Sequence, residues 1–368
     1  PPPPLRRQRQ MCIRDSFLGD GVFELLVGSD GNNNSCGIRF SVSEQCSFHL
    51  SYSEDSNWST SQMISGLYPN GDNGYVVSGS GGIGFISGKL SGDVLVDQES
   101  DFIIGNTKEY DLFGLNGGDQ TGDSLTELLI VGHDSEGVTW WFLDVKDASN
   151  YDIDALSVAE VRSDGEVPNG GFLASGVHVQ DLSGDGIGDF VIGNPYSSIS
   201  GDNSGALYYF EGPLKGDLRY SDADLILSGV DSQDYLGIIV SVIGDTDGDG
   251  TSEMQVSAPF RDTGSSASGS IFIIEGIPDV ESNLMDVSVE IYGESKQDLA
   301  GLIPTQSHGG DVDGDGFDDF VVGALSNQTS TGNGITHLIY GPISGNISLA
   351  DSDARFTGPS GSQAGHVN

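Results

Sequence analysis

The chain has 368 residues, of which 55 are Asp or Glu and 14 are Lys or Arg, so its formal net charge at pH 7 is -41. A surface with this excess of negative charge repels nucleic acids and anionic membranes, and no hydrophobic run reaches the roughly eighteen residues that span a bilayer. Nucleic-acid binding and direct membrane insertion of this segment are therefore excluded, and the 55 glycines indicate short strands joined by many turns.

The first sixteen residues differ from the rest of the chain. Residues 10–16, QMCIRDS, resemble the translation of a transposase sequencing adapter, and the alternative is a short basic leader rich in Pro and Arg. We therefore treat residues 1–16 as a non-native leader and expect one repeat domain over residues 17–368, incomplete at both ends.

The next hundred residues contain two weak repeats. Residues 18–21, LGDG, precede an apolar run and keep only Asp20 and Glu24 of the acidic pattern described below. Residues 70–72, NGD, precede GYVVSGS but have no acids at the corresponding outer positions, so we expect this repeat to bind no metal. Cys36 and Cys46 would either pair across a hairpin in an oxidising compartment or remain free thiols.

Four acidic nonapeptides follow, at residues 119–127, 181–189, 245–253 and 311–319. Each has an oxygen-bearing side chain at positions one, three, five and nine, and position seven would add its backbone carbonyl. Hard cations such as Ca2+ take six to eight oxygen ligands, which a tight loop with alternating acidic residues supplies. The pattern predicts three to four calcium sites, the first of them weaker because Thr121 replaces a carboxylate. The predicted ligands are Asp119, Thr121, Asp123, Leu125, Glu127, Asp181, Ser183, Asp185, Ile187, Asp189, Asp245, Asp247, Asp249, Thr251, Glu253, Asp311, Asp313, Asp315, Phe317 and Asp319.

An EF-hand opens with a similar pattern but requires a bidentate glutamate at position twelve and a helix on each side. Position twelve of the last three loops is Ile192, Val256 or Val322, each within a short apolar run. Such runs, bounded by turn-forming residues, are typical of buried strands. The sequence therefore predicts calcium loops between strands.

The loops belong to a longer repeat. Position five recurs at intervals of 62, 64 and 66 residues, at Asp123, Asp185, Asp249 and Asp315. Each interval also contains a glycine-containing strand start before the loop, an aromatic or aliphatic strand after it, and a last strand that ends near glycine. Four short strands in a repeat of about sixty residues are typical of one β-propeller blade.

These residues resemble the FG-GAP repeats that form the β-propeller of integrin α subunits and of many bacterial surface proteins. Phe113-Gly114 is the FG element, with Leu236-Gly237 and Ala300-Gly301 as variants, and the GAP element corresponds to residues 193–195, 257–259 and 323–325. The resemblance covers residues 17–368 and is strongest over 110–342. It implies an all-β propeller of four-stranded antiparallel blades, with calcium in strand-connecting loops; six repeats are recognisable, in six or seven blades.

The ends of the repeat region resemble two parts of one blade. Residues 358–368 match the segment that precedes a calcium loop, and LGDGVFELLVGS at 18–29 begins at such a loop. We expect a six-bladed ring that closes with adjacent termini, which removes exposed sheet edges. The alternative is an open arc that lacks a seventh blade.

No enzyme motif stands out beyond the loops, although 55 acidic residues leave an acid-pair hydrolase as an open alternative. The sequence has no GxSxG, HExxH or CxxC motif and no phosphate-binding glycine loop that opens a helix. We therefore expect a non-catalytic, calcium-stabilised binding or adhesion module at the cell surface or outside the cell, with a protein or carbohydrate ligand on variable rim loops. The alternative is the propeller of a secreted enzyme, such as a glycosylphosphatidylinositol phospholipase or a polysaccharide lyase.

Two aromatic pairs lie at matching strand positions of neighbouring repeats. They would either form a carbohydrate platform or, as we expect from their strand positions, pack in the core; they are Trp140, Trp141, Tyr208 and Tyr209.

Overall fold

The computed structural model of the protein describes residues 113–133, 137–145, 153–163, 177–278, 284–302, 308–325 and 334–358, and before residue 106 the backbone of nine strands. Its contacts divide the chain into two compact units, Pro1–Ser163 with Pro213–Leu218, and Asp164–Gly212 with Arg219–Asn368. The described residues form six sheets of four or five strands. The prediction of an all-β fold built from repeated antiparallel blades is thus confirmed.

The first unit contains three sheets. In each of them three or four consecutive strands pair antiparallel, as expected when neighbouring strands are joined by short turns. The first sheet comprises β1 (Met11–Arg14), β2 (Glu24–Val27), β3 (Ser35–Arg39), β4 (Cys46–Ser51) and β8 (Gly92–Leu95), and the second comprises β5 (Trp58–Ile64), β6 (Gly74–Gly79), β7 (Gly82–Ser87) and β9 (Phe102–Gly105). The third comprises β10 (Phe113–Asn116), β11 (Leu128–His133), β12 (Val138–Leu143), β13 (Ser157–Arg162) and β17 (Gly216–Arg219).

The second unit contains the other three sheets, each with the same antiparallel order. The fourth sheet comprises β14 (Val177–Gln180), β15 (Asp189–Asn194), β16 (Ala206–Phe210) and β18 (Leu225–Ser228). The fifth comprises β19 (Val240–Val242), β20 (Met254–Ala258), β21 (Ser270–Ile274), β22 (Ser288–Tyr292) and β26 (Ile347–Ser348). The sixth comprises β23 (His308–Gly310), β24 (Asp319–Ala324), β25 (Ile335–Ile339) and β27 (Ala354–Thr357).

Helical structure in the described residues is limited to single turns. These are α1 (Ile153–Leu156) and three 3-10 turns at Tyr220–Asp222, Leu284–Asp286 and Leu349–Asp351. None of these helices is long and apolar enough to cross a membrane.

Three sheets have a fifth strand that the sequence analysis did not predict. β8, β17 and β26 each lie in the repeat that follows the one they join, and they pair with the last strand of the earlier repeat. The pairing of β4 with β8 and of β22 with β26 is parallel. In these three sheets a short segment of the following repeat therefore pairs with the last strand of the earlier repeat, which covers an otherwise open sheet edge.

The middle strands are buried on both faces. Every residue of β12, β15, β16, β20 and β21 is buried, whereas β18 alternates between buried and half-buried positions and β27 is mostly exposed. This arrangement explains why these segments are continuous apolar runs instead of alternating patterns. Trp140 and Trp141 are both buried, as are Tyr208 and Tyr209, so the expectation that these aromatic pairs pack in the core is confirmed.

In the second unit the three sheets stack face to face. One core cluster joins Val191 and Leu227 of the fourth sheet to Val256 and Phe272 of the fifth. A second cluster joins Ile271 of the fifth sheet to residues of the sixth, including Phe320 and Val322. Stacked sheets of this kind are what the propeller prediction requires of neighbouring blades.

The FG and GAP glycines meet between neighbouring repeats. Gly237, at φ 94°, lies so close to Gly193 that a Cβ atom on Gly237 would be 2.8 Å from the Cα atom of Gly193. A Cβ atom on Gly193 would overlap the carbonyl oxygen of Gly237. The motif therefore requires glycine at both positions because two backbones are in direct contact.

Several predictions concern residues outside the described part of the chain. Ring closure involves residues 18–23 and 359–368, and the metal-free loop involves residues 70–72. Cys36 and Cys46 lie on described strands, where Cys36 pairs in register with His49, and Ile38 with Cys46. Ring closure, the metal-free loop, the state of the two thiols and the non-native origin of residues 1–16 remain predictions.

Candidate metal-binding loops

All four acidic loops occupy the same place in their sheets. Each joins the first strand of its sheet to the second: β10 to β11, β14 to β15, β19 to β20 and β23 to β24. Backbone hydrogen bonds close the base of the loop at 245–253, where Ile243 N donates to Glu253 O at 3.0 Å and Glu253 N donates to Gly244 O at 3.0 Å. The sheet therefore fixes both ends of a short, strongly acidic segment.

The carboxylate at position one organises each loop. In the loop at 245–253, Gly248 N donates to Asp245 Oδ1 at 2.6 Å and Gly250 N donates to Asp245 Oδ2 at 3.0 Å. Asp119, Asp181 and Asp311 accept equivalent bonds from their own loops. Charge-assisted bonds from backbone N–H groups wrap the chain around this side chain.

Positions three and five tighten the same turn. Asp249 Oδ1 accepts from Thr251 N at 2.8 Å and from Thr251 Oγ1 at 2.6 Å, and Asp247 Oδ1 accepts from Asp249 N at 3.0 Å. Asp123, Asp185 and Asp315 likewise accept from the backbone N–H two residues further on. These turns are typical of Asp, whose short side chain bonds its own neighbouring backbone.

Position nine separates the loops into two classes, a distinction that the sequence analysis missed. Asp189 is fully buried and is occupied by the backbone, with Oδ2 accepting from Leu182 N and Ser183 N at 2.8 Å and Oδ1 accepting from Gly212 N at 2.9 Å. Asp319 is also fully buried and accepts from Val312 N at 2.7 Å and Gly341 N at 3.0 Å. An aspartate at position nine therefore joins its loop, through hydrogen bonds, to the turn that follows the third strand of the same sheet.

A glutamate at position nine extends further into its loop. Glu253 Oε2 accepts from Thr246 N at 2.5 Å and from Thr246 Oγ1 at 2.6 Å, whereas Glu253 Oε1 is buried without a hydrogen-bond partner. Glu127 accepts from Gln120 N and, at 3.2 Å, from Thr121 Oγ1. The additional methylene places the carboxylate of each glutamate next to the other acids of the loop.

Three groups of carboxylate oxygens result, and within each group the atoms lie within 4.8 Å of one another. The groups are Asp245, Asp247, Asp249 and Glu253; Asp119, Asp123 and Glu127; and Asp311, Asp313 and Asp315. Among the described residues the loop at 181–189 forms no such group, because position three is Ser183 and Asp189 is held by the backbone. Of the predicted ligands, the structure thus brings together ten carboxylates from three loops, whereas Asp319 and all the predicted ligands at 181–189 lie outside these groups.

Burial, with a smaller contribution from the neighbouring carboxylates, raises the pKa values of the two glutamates at position nine. Burial raises the pKa of Glu127 to about 7, and the neighbouring carboxylates of Asp119 and Asp123 add to the effect although Gln120 and Thr121 oppose it with hydrogen bonds. Burial also raises the pKa of Glu253, despite the bonds from Thr246. In contrast, the hydroxyl of Thr251 lowers the pKa of the exposed Asp249. A cation at these oxygens would favour the ionised form of both glutamates.

The donor sets fit a hard cation. Every side chain in the three groups offers an oxygen atom, and none offers sulfur or imidazole nitrogen. Carboxylate and carbonyl oxygens suit Mg2+, Ca2+ or Mn2+, whereas thiolate and imidazole select zinc and copper. A cation would stabilise Glu253 Oε1 in particular, because a charged oxygen that is buried without a hydrogen-bond partner is costly.

Ser124 provides a test of loop conformation. It lies at position six with φ 68°, where the other three loops have glycine at φ 90°, 92° and 98°. Left-handed backbone costs a residue with a Cβ atom about 1–2 kcal/mol. We expect Ser124→Gly to raise the melting temperature measured in chelator by a few degrees, and the matched reverse change Gly250→Ser to lower it. Equal melting temperatures for Ser124→Gly and the unaltered chain would contradict this account.

Comparison with known proteins identifies the same repeat that the sequence pattern indicated. The FG-GAP repeat model matches residues 172–210 and 304–339. The chain is 32% identical to "Integrin alpha-5" of Xenopus laevis over 166 residues, which are 43% of this chain and 15% of that protein. It is 30% identical to "Integrin alpha-PS3" of Drosophila melanogaster over 161 residues (42% and 14%) and 25% identical to "Integrin alpha-IIb" of Homo sapiens over 223 residues (58% and 20%). The chain therefore spans about a fifth or less of the length of these relatives.

Proposed function

Because the chain has FG-GAP repeats and is similar to integrin α subunits, we propose that it is a calcium-stabilised, non-catalytic β-propeller module for adhesion or binding at the cell surface or outside the cell. Calcium in three to four loops would hold the strand connections in place. It would neutralise clustered carboxylates and take no part in a reaction.

The observation that carries the calcium proposal is the loop at 245–253. Four carboxylates meet there, and Glu253 Oε1 is buried with no hydrogen-bond donor. Without a cation, like charges at these separations repel each other, and a buried unpaired oxygen adds a desolvation cost. Asp245, Asp247, Asp249 and Glu253 would hold the ion, with the carbonyl of Thr251 as the predicted further ligand.

Calcium fits these loops better than magnesium does. Ca2+ accepts six to eight oxygens in flexible geometry, whereas Mg2+ requires a compact octahedron and retains its waters. The irregular glycine-containing loops supply oxygens from five sequence positions and are exposed at their tips. We expect dissociation constants on the order of 10⁻⁴ to 10⁻³ M, as in extracellular modules.

The binding half of the proposal is supported by an aromatic surface in the second unit. The rings of Tyr196 and Tyr235 have centroids 5.8 Å apart, and those of Tyr235 and Phe260 are 5.3 Å apart. Phe260 is 40% exposed, and Tyr196 and Tyr235 are half-buried. Tyr196 and Phe260 follow the second strands β15 and β20, so they lie at the strand ends opposite the acidic loops. Variable loops on a rigid sheet are a common place for ligand binding, and the ligand would be a protein or a carbohydrate.

The alternative, a propeller that belongs to a secreted enzyme, makes a different prediction about the complete reading frame. A catalytic domain encoded beside this segment would support the enzyme, whereas further repeats, a stalk or an anchor would support the adhesion module.

Glu253→Gln tests the calcium proposal with opposite signs in two conditions. In chelator we expect the variant to melt above the unaltered chain, because glutamine retains the bonds from Thr246 and removes one repelling charge. In millimolar calcium we expect it to melt lower and to bind calcium about tenfold more weakly at this loop, as measured by calorimetry.

Glu275→Gln is the matched control, because Glu275 is exposed and lies outside the acidic loops. A Glu253→Gln chain that is less stable in both conditions would assign Glu253 a purely structural role. Fewer than two bound calcium ions per unaltered chain would overturn the calcium proposal itself.

A further inference from the structure

Two neighbouring acidic loops in the second unit are in direct contact. Asp318 N donates to Asp245 O at 2.8 Å, and Asp245 N donates to Asp318 Oδ2 at 3.0 Å. Both backbone polar groups of Asp245 are therefore held by one residue of the following repeat. Asp245 is also the position-one residue whose carboxylate organises its own loop.

The contact is tight on both sides of this pair. A Cβ atom on Gly248 would lie 2.7 Å from Cε1 of Phe317, so the phenyl ring rests directly on the turn at 245–253. A Cβ atom on Gly244 would overlap the carboxylate of Asp318. Neither loop can move at this point without displacing the other.

Phe317 and Asp318 also belong to the loop at 311–319. Phe317 N donates to Asp315 Oδ1 at 3.0 Å, and Asp319 is clasped by Val312 N and Gly341 N. Asp315 is one of the three carboxylates grouped in that loop. The residues that touch the first loop are thus bonded to, or adjacent to, the carboxylates that form the second.

We propose that Asp318 and Phe317 couple the two loops, so that a cation in the loop at 311–319 raises the affinity of the loop at 245–253 for a second cation, and the reverse. The inference rests on the proposed calcium function. A cation that fixes Asp311, Asp313 and Asp315 also fixes Phe317 and Asp318, and these hold Asp245 in the conformation its own cation requires. The second cation then has to order fewer residues when it binds, so it binds more tightly, which is positive cooperativity.

The residue at position eight differs in all four loops. It is Asp318 in this loop, but Thr126, Gly188 or Ser252 in the others. Of these four residues, Asp318 alone has a carboxylate with which to accept the Asp245 N–H. The coupling is therefore a property of this pair of loops and not of the repeat in general.

The test is calcium calorimetry on the whole chain, with the loop at 311–319 disabled by Asp315→Ala. Coupling predicts that the affinity of the loop at 245–253 falls about fivefold to tenfold in this variant. Asp318→Ala should produce a similar loss of affinity. The double variant, Asp315→Ala with Asp318→Ala, should bind calcium at 245–253 no more weakly than either single variant. Glu275→Gln is the control for loss of an exposed carboxylate.

Electrostatics alone would give a different result. Loss of a carboxylate weakens cation binding at a distance, but 0.5 M salt shortens the Debye length to about 4 Å and would remove that effect. The proposal expects the loss to persist in high salt. Asp318→Asn keeps an acceptor for Asp245 N and should restore most of the coupling, which also guards against misfolding of the alanine variant.

The possible failures are distinguishable. An unaltered chain that binds no calcium overturns both the calcium proposal and the coupling. Calcium binding with an unchanged affinity at 245–253 in Asp315→Ala, or with additive losses in the double variant, overturns the coupling and leaves the calcium proposal standing.

Discussion

Transfer of the protein from millimolar calcium into chelator is expected to lower its melting temperature by about 10 °C. A ligand bound only by the folded state adds RT ln(1 + [L]/Kd), which is about 1.4 kcal/mol per site at a free concentration ten times Kd. Two of the three carboxylate groups lie in the second unit, so the sum for that unit is about 3 kcal/mol. One kcal/mol shifts the melting temperature of a unit of this size by about 2–4 °C.

Differential scanning calorimetry at several free calcium concentrations measures this effect. The melting temperature should rise with the logarithm of the calcium concentration, and Asp249→Ala and Asp315→Ala should each remove part of the rise. Magnesium at the same concentration should recover only a small part, because of its compact, hydrated coordination shell. Equal melting temperatures in chelator and in calcium would rule out a structural cation.

The strands and the loops could be predicted from the sequence because both are local signals. Apolar runs such as the one within DFVIGN at 189–194 favour a buried strand, and the spacing of the acids is that of a cation loop. The fifth strands were missed because their segments carry no such signal. β17, GDLR, is polar and mostly exposed, and its pairing with β13 depends on where the next repeat places it.

The side-chain arrangement of the loops was predictable only in part. Positions one, three and five are grouped in the loops at 245–253 and 311–319, but the division at position nine depends on side-chain length: the carboxylates of Glu127 and Glu253 reach the group, whereas Asp189 and Asp319 bond the backbone. The choice of Glu or Asp was visible in the sequence. The contact from Asp318 to Asp245 was not, because it joins residues 73 apart.

Arg261→Met is expected to be the most damaging single substitution considered, at about 3–5 kcal/mol, the usual cost of leaving a buried charge without its partner. Arg261 is 8% exposed and follows the GAP segment of the fifth sheet. Its Nε donates to Glu290 Oε1 at 2.8 Å, and its Nη1 donates to Asp234 Oδ2 at 2.9 Å. Both acids are buried, so the variant would leave two buried carboxylates without their cation.

The other contacts of Arg261 add less. Asp231 also accepts from Nη1 at 2.9 Å, but its side chain is 70% exposed, so water screens that pair. The guanidinium lies 5.8 Å from the ring centroid of Phe272, and methionine would retain part of that packing. The predicted loss therefore comes mainly from Asp234 and Glu290, and Asp234→Asn with Glu290→Gln should recover much of it in the Arg261→Met background.

The loss of stability in Arg261→Met should also depend on pH, and it should be larger at high pH. Burial raises the pKa of Asp234 even though Arg261 opposes the rise, so removal of Arg261 should raise the pKa further. A carboxyl group whose pKa is higher in the folded chain than the unfolded value of about 3.9 binds more protons when folded, and stability is lost as pH rises through the folded pKa. Arg261→Met should therefore be closer to the unaltered chain at pH 5 than at pH 8.

Chemical denaturation at the two pH values, with calcium held constant, measures both effects. Arg355→Met is the matched control, because Arg355 pairs with Glu294 while its side chain is 40% exposed, and loss of such a pair costs less than about 1 kcal/mol. A small, pH-independent loss for Arg261→Met, similar to that of the control, would mean that Asp234 and Glu290 reach water and do not depend on the guanidinium. The expected large loss at pH 8, relieved at pH 5 and by neutral partners, would instead show that one buried arginine holds together the loops at the end of the fifth sheet opposite its acidic loop.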